Sequence, residues 1–207
     1  MARMPAPPPV EPARERLIAA MTDALRRRGL HGIGLTELLR AAQAPKGVLY
    51  HHFPGGKTEL AVAAIDQVVE RMTAGLDKLL AGTPDPLLAL RRWIAGATAR
   101  LQETGFEAGC PLATVALESG PEDRALREAL ARAFGRVRER IAQGLAGAGL
   151  PAERAQGLAA LIVAAYEGGL LQSRVAHSAE PIQRATDTLL ALLSADPSCA
   201  PFQEPSP

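Results

Sequence analysis

Residues 44–60 read A-P-K-G-V-L-Y-H-H-F-P-G-G-K-T-E-L, and no other segment constrains the fold as tightly. Pro45 suits a helix start, where its missing N–H costs nothing. Leu49 and Phe53 lie four apart and anchor one helical face to a core. A Gly-containing loop follows and ends at Lys57. The pattern predicts a short helix over residues 46–52 that enters a DNA major groove, while the N-terminus of the next helix meets a phosphate.

Charge is distributed to match. Residues 1–57 hold nine Lys/Arg against four acids, a net of +5, whereas residues 58–207 carry 14 basic and 18 acidic residues, a net of −4. This is a basic reading head on a near-neutral body. Hydrophobic residues make up 47% of the chain and aromatics only 3%, so its core is built from Leu, Ala, Val and Ile, which favours helices. No apolar run is long enough to span a membrane, and the start M-A-R-M-P-A-P-P-P-V-E-P has no signal-peptide stretch. Two cysteines, Cys110 and Cys199, make no disulfide framework, and a reducing cytoplasm is the expected setting.

Periodicity predicts an all-α chain of about nine helices, with no alternating strand pattern. The first, residues 12–28, turns Leu17, Met21, Ala24 and Leu25 inward and stops at Gly29. The second covers 35–42, the third 46–52, the fourth 57–80 and the fifth 86–103. A short sixth covers 112–118, and a seventh carries Leu126, Leu130, Phe134, Val137, Ile141 and Leu145 in one stripe. The eighth, residues 151–176, is apolar on most sides and contains Gly168-Gly169; the ninth covers 180–193. A helix apolar on most faces needs cover on most faces, so these last two are expected to pair with their mates in a homodimer. Leu161, Gly168, Gly169, Ile182, Leu189 and Leu193 are the expected interface residues.

At residues 14–65 the chain resembles the DNA-binding domain of the TetR family of bacterial transcriptional repressors. P-K-G-V-L-Y-H-H-F, followed by a lysine and Leu60, carries the resemblance. F-P-G-G-K-T-E-L-A-V-A-A-I, with G-L-H-G-I-G-L ahead of it, is similar to the LmrA/YxaF-like branch. So are A-G-C-P-L-A-T-V-A-L-E and E-G-G-L-L-Q-S-R-V-A-H-S-A-E-P-I further on. The resemblance implies a three-helix DNA head, a C-terminal ligand and dimer domain, and a small hydrophobic, often aromatic, effector. Four segments are expected: a disordered Pro-rich arm (1–11), the helix-turn-helix head (12–56), the effector and dimerisation domain (57–195) and a flexible tail (196–207). The chain departs from the family pattern twice. Gly34 stands where the second helix usually begins on Ser or Thr, and Gln43 stands where the turn usually has Gly, which predicts a positive φ there.

Residue chemistry assigns the DNA contacts. Lys46 reaches a phosphate or a guanine edge, Gly47 admits the backbone, and Val48 touches a thymine methyl. Tyr50 and His52 donate to phosphate oxygens, with His51 beside the same groove. Lys57 clamps a phosphate, and Thr36 reaches the backbone or a base edge. The alternative reading of His51-His52 as a metal site is poor, because adjacent helix positions diverge by about 100°. Trp93, Phe106, Cys110, Leu117, Phe134, Tyr166 and Gln172 are the candidate lining of an apolar effector cavity, with ordinary core packing as the alternative for each. Glu118 and Glu167, lone acids beside apolar helices, read as caps or ion-pair partners. No catalytic set, metal spacing or phosphate loop stands out, so neither an enzyme nor a cofactor is expected. The remaining alternative is a DNA-binding regulator that has no small effector and acts with a protein partner.

Overall fold

The computed structural model describes residues 12–195. The expected arm (1–11) and tail (196–207, with Cys199) lie outside the described residues. Within them the chain folds into α-helices only. These are α1 (Ala13–Arg28), α2 (Leu35–Ala41), α3 (Lys46–His52), α4 (Gly56–Gly82), α5 (Pro86–Glu103), α6 (Pro111–Glu118), α7 (Arg124–Gly147), α8 (Ala152–Ala176) and α9 (Glu180–Ala195). No helix among them is long and apolar enough to cross a membrane.

The head is α1 to α3 closed by the first turns of α4. Leu17, Met21, Leu25, Leu38, Leu49, Phe53 and Leu60 are all buried there. Gln43 has φ 49, the left-handed turn expected between α2 and α3. Arg16 braces that turn from α1, its Nε donating to the Ala42 carbonyl at 3.1 Å and its Nη2 to the Gln43 carbonyl at 3.3 Å.

Helix α4 runs 27 residues, about 40 Å, and packs on α1 at one end and on α5 and α7 further along. Asp85 caps α5, accepting the Leu87 amide at 2.8 Å, with Pro86 in the first turn. Trp93 on α5 donates Nε1–H to the Met72 carbonyl of α4 at 3.1 Å and lays its ring 4.9 Å from that of Tyr166 on α8.

Head and body are tied at the end of α1. Glu118, the last residue of α6, accepts the Leu30 amide at 2.6 Å, so it caps the head's first loop. Gly29 there has φ +75, and a Cβ on it would lie 2.0 Å from Glu118 Oε1. No other residue fits that position. The Gly109 amide donates to the Arg26 carbonyl at 3.1 Å. Arg174 of α8 donates to the Arg27 carbonyl at 2.9 Å.

Four of the six expected interface residues are taken up inside the subunit. Ile182, Leu189 and Leu193 are buried inside the subunit. Gly169 is spent within the chain too: a Cβ on it would lie 3.0–3.2 Å from Ile182, so its role is to let α8 and α9 approach. Buried Ser173 completes this contact by accepting the Ile182 amide at 3.1 Å. Leu161 and Gly168, both expected, do lie on the apolar face that α8 leaves open, together with Ala164, Leu171 and Val175, and Leu192 is exposed on α9. The reason is one of phase: α8 already has α7, α9 and α5 on its other sides.

Candidate nucleic-acid interface and the cavity behind it

Helix α3 starts at Pro45 and is held on the head by Leu49 and Phe53, so its outward side is fixed by its inward one. Lys46, Gly47, Tyr50 and His51 are exposed, and Val48 and His52 half-buried. Lys46 Nζ lies 5.9 Å from the centroid of the Tyr50 ring, one turn on, so the two present a joint cationic and hydroxyl edge. The His51 and His52 rings meet edge to face at 4.9 Å. Thr36, near the start of α2, is exposed, as is Arg40 one turn beyond it.

Lys57 departs from its expected role. Its ammonium turns inward and donates to the Leu30 and Ile33 carbonyls at 2.5 and 2.6 Å. Those carbonyls belong to the loop after α1 and need donors, and the partial burial that results lowers the Lys57 pKa. The N-terminus of α4 is occupied as well: Glu59 accepts the Gly55 amide at 2.6 Å. A carboxylate there opposes an incoming phosphate, so the expected clamp at α4 is not formed.

Behind the head lies a cavity of about 500 Å³ bounded by α1, α4, α5, the 104–111 loop and α8. Three expected residues line it: Trp93, Cys110 and Tyr166. Four do not. Leu117 is 79% exposed on α6. Phe134 is packed against the core from α7, away from the cavity. Gln172 is exposed on α8, and Phe106, at φ 64, turns toward His177 at 6.2 Å. The lining is also less apolar than expected, because Arg26, Arg71, Arg92 and Arg100 all reach it.

The sequence reading missed those arginines, although a signal existed. Val68, Arg71, Met72, Gly75 and Leu79 repeat at helical spacing on one face of α4, and Trp93, Gly96, Ala97, Arg100 and Leu101 do so on α5. Arg71 and Arg100 sit at the border of these stripes, exposed to solvent yet on the side that lines the cavity.

At the back of the cavity the Cys110 Sγ donates to Glu167 Oε1 at 3.2 Å. Burial, then the neighbouring Glu167 charge, pushes the thiol pKa well up, so Cys110 is a packed thiol rather than a nucleophile. Burial raises the Glu167 carboxyl to about 7, while its Oε2 has no hydrogen-bond partner among the described residues.

A helix-turn-helix with this exposed edge, on a helical body with a cavity, is matched by known sequences. The profile of bacterial regulatory proteins of the tetR family matches residues 17–64, and that of the LmrA/YxaF-like regulator C-terminal domain matches residues 86–188. The HTH-type transcriptional regulator Rv0196 of Mycobacterium tuberculosis is 35% identical over 188 residues, 88% of this chain and 95% of its own. The chain belongs to the TetR family. It is a DNA-binding transcriptional regulator of that family, not an enzyme, and carries an LmrA/YxaF-like C-terminal domain. The regulatory protein TetR of Rhodobacter sphaeroides superimposes with a TM-score of 0.76 at 28% identity, over 86% of this chain and 97% of that one. A cysteine mutant of the TetR-family regulator CifR, solved with 26-bp double-strand operator DNA, superimposes with a TM-score of 0.72 at 25% identity, over 89% and 98%.

Proposed function

We propose that this TetR-family regulator is a homodimeric repressor that binds a near-palindromic operator and is released by a small molecule in the cavity. Its working units are the head (12–56) and the effector and dimerisation domain (57–195). Residues Thr36, Lys46, Gly47, Val48, Tyr50, His51 and His52 meet the DNA, and the open α8 face with Leu192 of α9 meets the second subunit. Two heads related by a dyad then read half-sites about 34 Å apart or somewhat more.

One observation carries the release step. The last turn of head helix α1 forms part of the cavity wall through Arg26, and the Arg26 carbonyl is hydrogen-bonded to the cavity's own loop at Gly109. A ligand that displaces this wall moves the head directly, without relying on the length of α4 alone. Only a ligand that prefers the released arrangement shifts the balance, and coupling of about 1–3 kcal/mol is usual. The same wall disfavours the effector-free reading, which needs no cavity beside the head.

The test is a gel-shift and sedimentation series on operator DNA from the regulator's own upstream region, run with Leu171→Glu and Val175→Glu. The expected outcome is monomeric protein and lost operator binding, with the helical signal retained. A dimer that persists in both variants overturns the α8 interface.

A further inference from the structure

We propose that the effector is an amphipathic organic carboxylate, its charged end held by Arg26, Arg71 and Arg100 and its apolar end bedded on Trp93, Met72 and Leu170. This deepens the reading of the cavity as the effector site and rests on it only for the consequence at the operator.

Three separate helices, α1, α4 and α5, each send a guanidinium to this cavity. Arg100 Nη1 folds back over its own helix, 3.6 Å from where a Cβ on Gly96 would stand, and that glycine leaves room for it. None of the three makes a salt bridge or a side-chain hydrogen bond among the described residues. Arg91, Arg124, Arg136, Arg140 and Arg184 elsewhere on the body are each paired with an acid. The arginines there without an acid among the described residues, such as Arg132 and Arg138, stand apart on the exposed side of α7 rather than converging on one space. Among the described residues the only acid that lines the cavity is Glu103, and it forms no such pair with them.

Converging cations without a counter-ion repel one another. The Arg26 pKa is lowered first by burial and then by Arg100 and Arg71, which points to mutual proximity. A carboxylate relieves that repulsion and accepts bidentate hydrogen bonds from guanidinium groups. The other end of the cavity suits a hydrocarbon or ring. Trp93 has already spent its N–H on Met72, so only its ring face is on offer, stacked near Tyr166. The Tyr166 hydroxyl makes no hydrogen bond among the described residues and adds a neutral donor. Because Arg26 belongs to the head, an anion that draws it toward Arg71 and Arg100 pulls on the Gly109 tie.

Trp93 is the chain's single tryptophan and lines the cavity, so its fluorescence reports occupancy. Matched probes are octanoate against octanamide and 3-phenylpropanoate against 3-phenylpropanamide, with inorganic sulfate as the bare anion. The full-length protein should bind each acid about tenfold or more tightly than its amide, as expected for hydrogen bonds to a charged group. That preference should shrink to about twofold or less in the Arg71→Gln/Arg100→Gln double variant, whose thermal melt shows that it still folds. Equal binding of acid and amide, quenching by no acid at millimolar concentration, a preference that survives in the double variant, or sulfate binding as tightly as octanoate each overturns the proposal. Operator binding measured in the same samples separates the two readings. Acids that bind without releasing DNA leave the anion site standing and sink the release mechanism. Release by the amides alone does the reverse.

Discussion

The head's outer face and the cavity both gather positive charge, but they hold it in opposite ways. On the head, several cations that do not face DNA have protein partners: Arg16 braces the α2–α3 turn, Arg28 pairs with Glu37 at 2.8 Å, and Lys57 is held by two carbonyls, while Arg26 faces the cavity instead. What is left facing outward, Lys46 with Tyr50 and His51 on α3 and Arg40 on α2, is exposed to solvent. In the cavity, Arg26, Arg71 and Arg100 lack such partners among the described residues; Arg26 is half-buried, while Arg71 and Arg100 are exposed at the cavity mouth. Water supports the first set until DNA replaces it. The second set converges on one space without a counter-ion, so its members repel one another and a bound anion lowers their energy. The two regions are joined within a single helix, since α1 carries both Arg16 and Arg26.

The largest effect is expected at Glu167, a mostly buried carboxyl that sits behind Cys110 and has no ion pair among the described residues. Its folded pKa of about 7 lies above the ordinary value of 4.5, so the native state keeps a proton that the unfolded chain has released. Stability is therefore highest below about pH 4.5 for this group, falls as pH rises to about 7, and is flat above. The full loss is of order 3 kcal/mol. Glu167→Gln should remove the slope and stabilise the protein by that order at pH 8 with little change at pH 4, as read by urea unfolding. An unchanged slope would mean that another group sets it.

Next in size is the outer face. Lys46→Ala or Tyr50→Ala should each cost about 1–3 kcal/mol of specific operator binding at fixed salt. Unfolding midpoints should barely move for Lys46→Ala and move less than the binding loss for Tyr50→Ala, because both side chains are exposed although the Tyr50 ring also rests beside Gly56. A stability loss comparable to the binding loss would show these residues to be structural, and would erase the contrast with the cavity.

How far each region was legible follows from the same physics. The head could be read residue by residue because a seven-residue helix must state its start, its anchors and its stop within a few positions, as Pro45, Leu49 and Phe53 do. The expected α3 and α5 match the structure at both ends. Lys57 was misread because its partners, the Leu30 and Ile33 carbonyls, are brought to it by a loop 24 and more residues away. The cavity was only partly legible for a related reason. Its aromatic members stand out by type, whereas Arg71 and Arg100 look like ordinary surface residues until α1 arrives beside them. Ile182, Leu189 and Leu193 were placed at the interface because apolar periodicity shows which face is buried, and not by which neighbour.

The smallest effect separates a brace from a reader. Arg16 supports the turn from within the head through its bonds to the Ala42 and Gln43 carbonyls, in a region where Gln43 is held at φ 49. Arg16→Ala should cost about 1 kcal/mol of stability, near the typical worth of such a hydrogen bond. It should weaken binding to operator and to unrelated DNA together, because a loosened turn moves the whole of α3. Adding Gln43→Gly should recover part of both losses, since glycine adopts positive φ without the cost of a side chain. If Arg16→Ala instead lowers operator affinity alone, and Gln43→Gly recovers nothing, then Arg16 touches DNA. The division between supported cations and outward-facing ones would then have to be redrawn through α1.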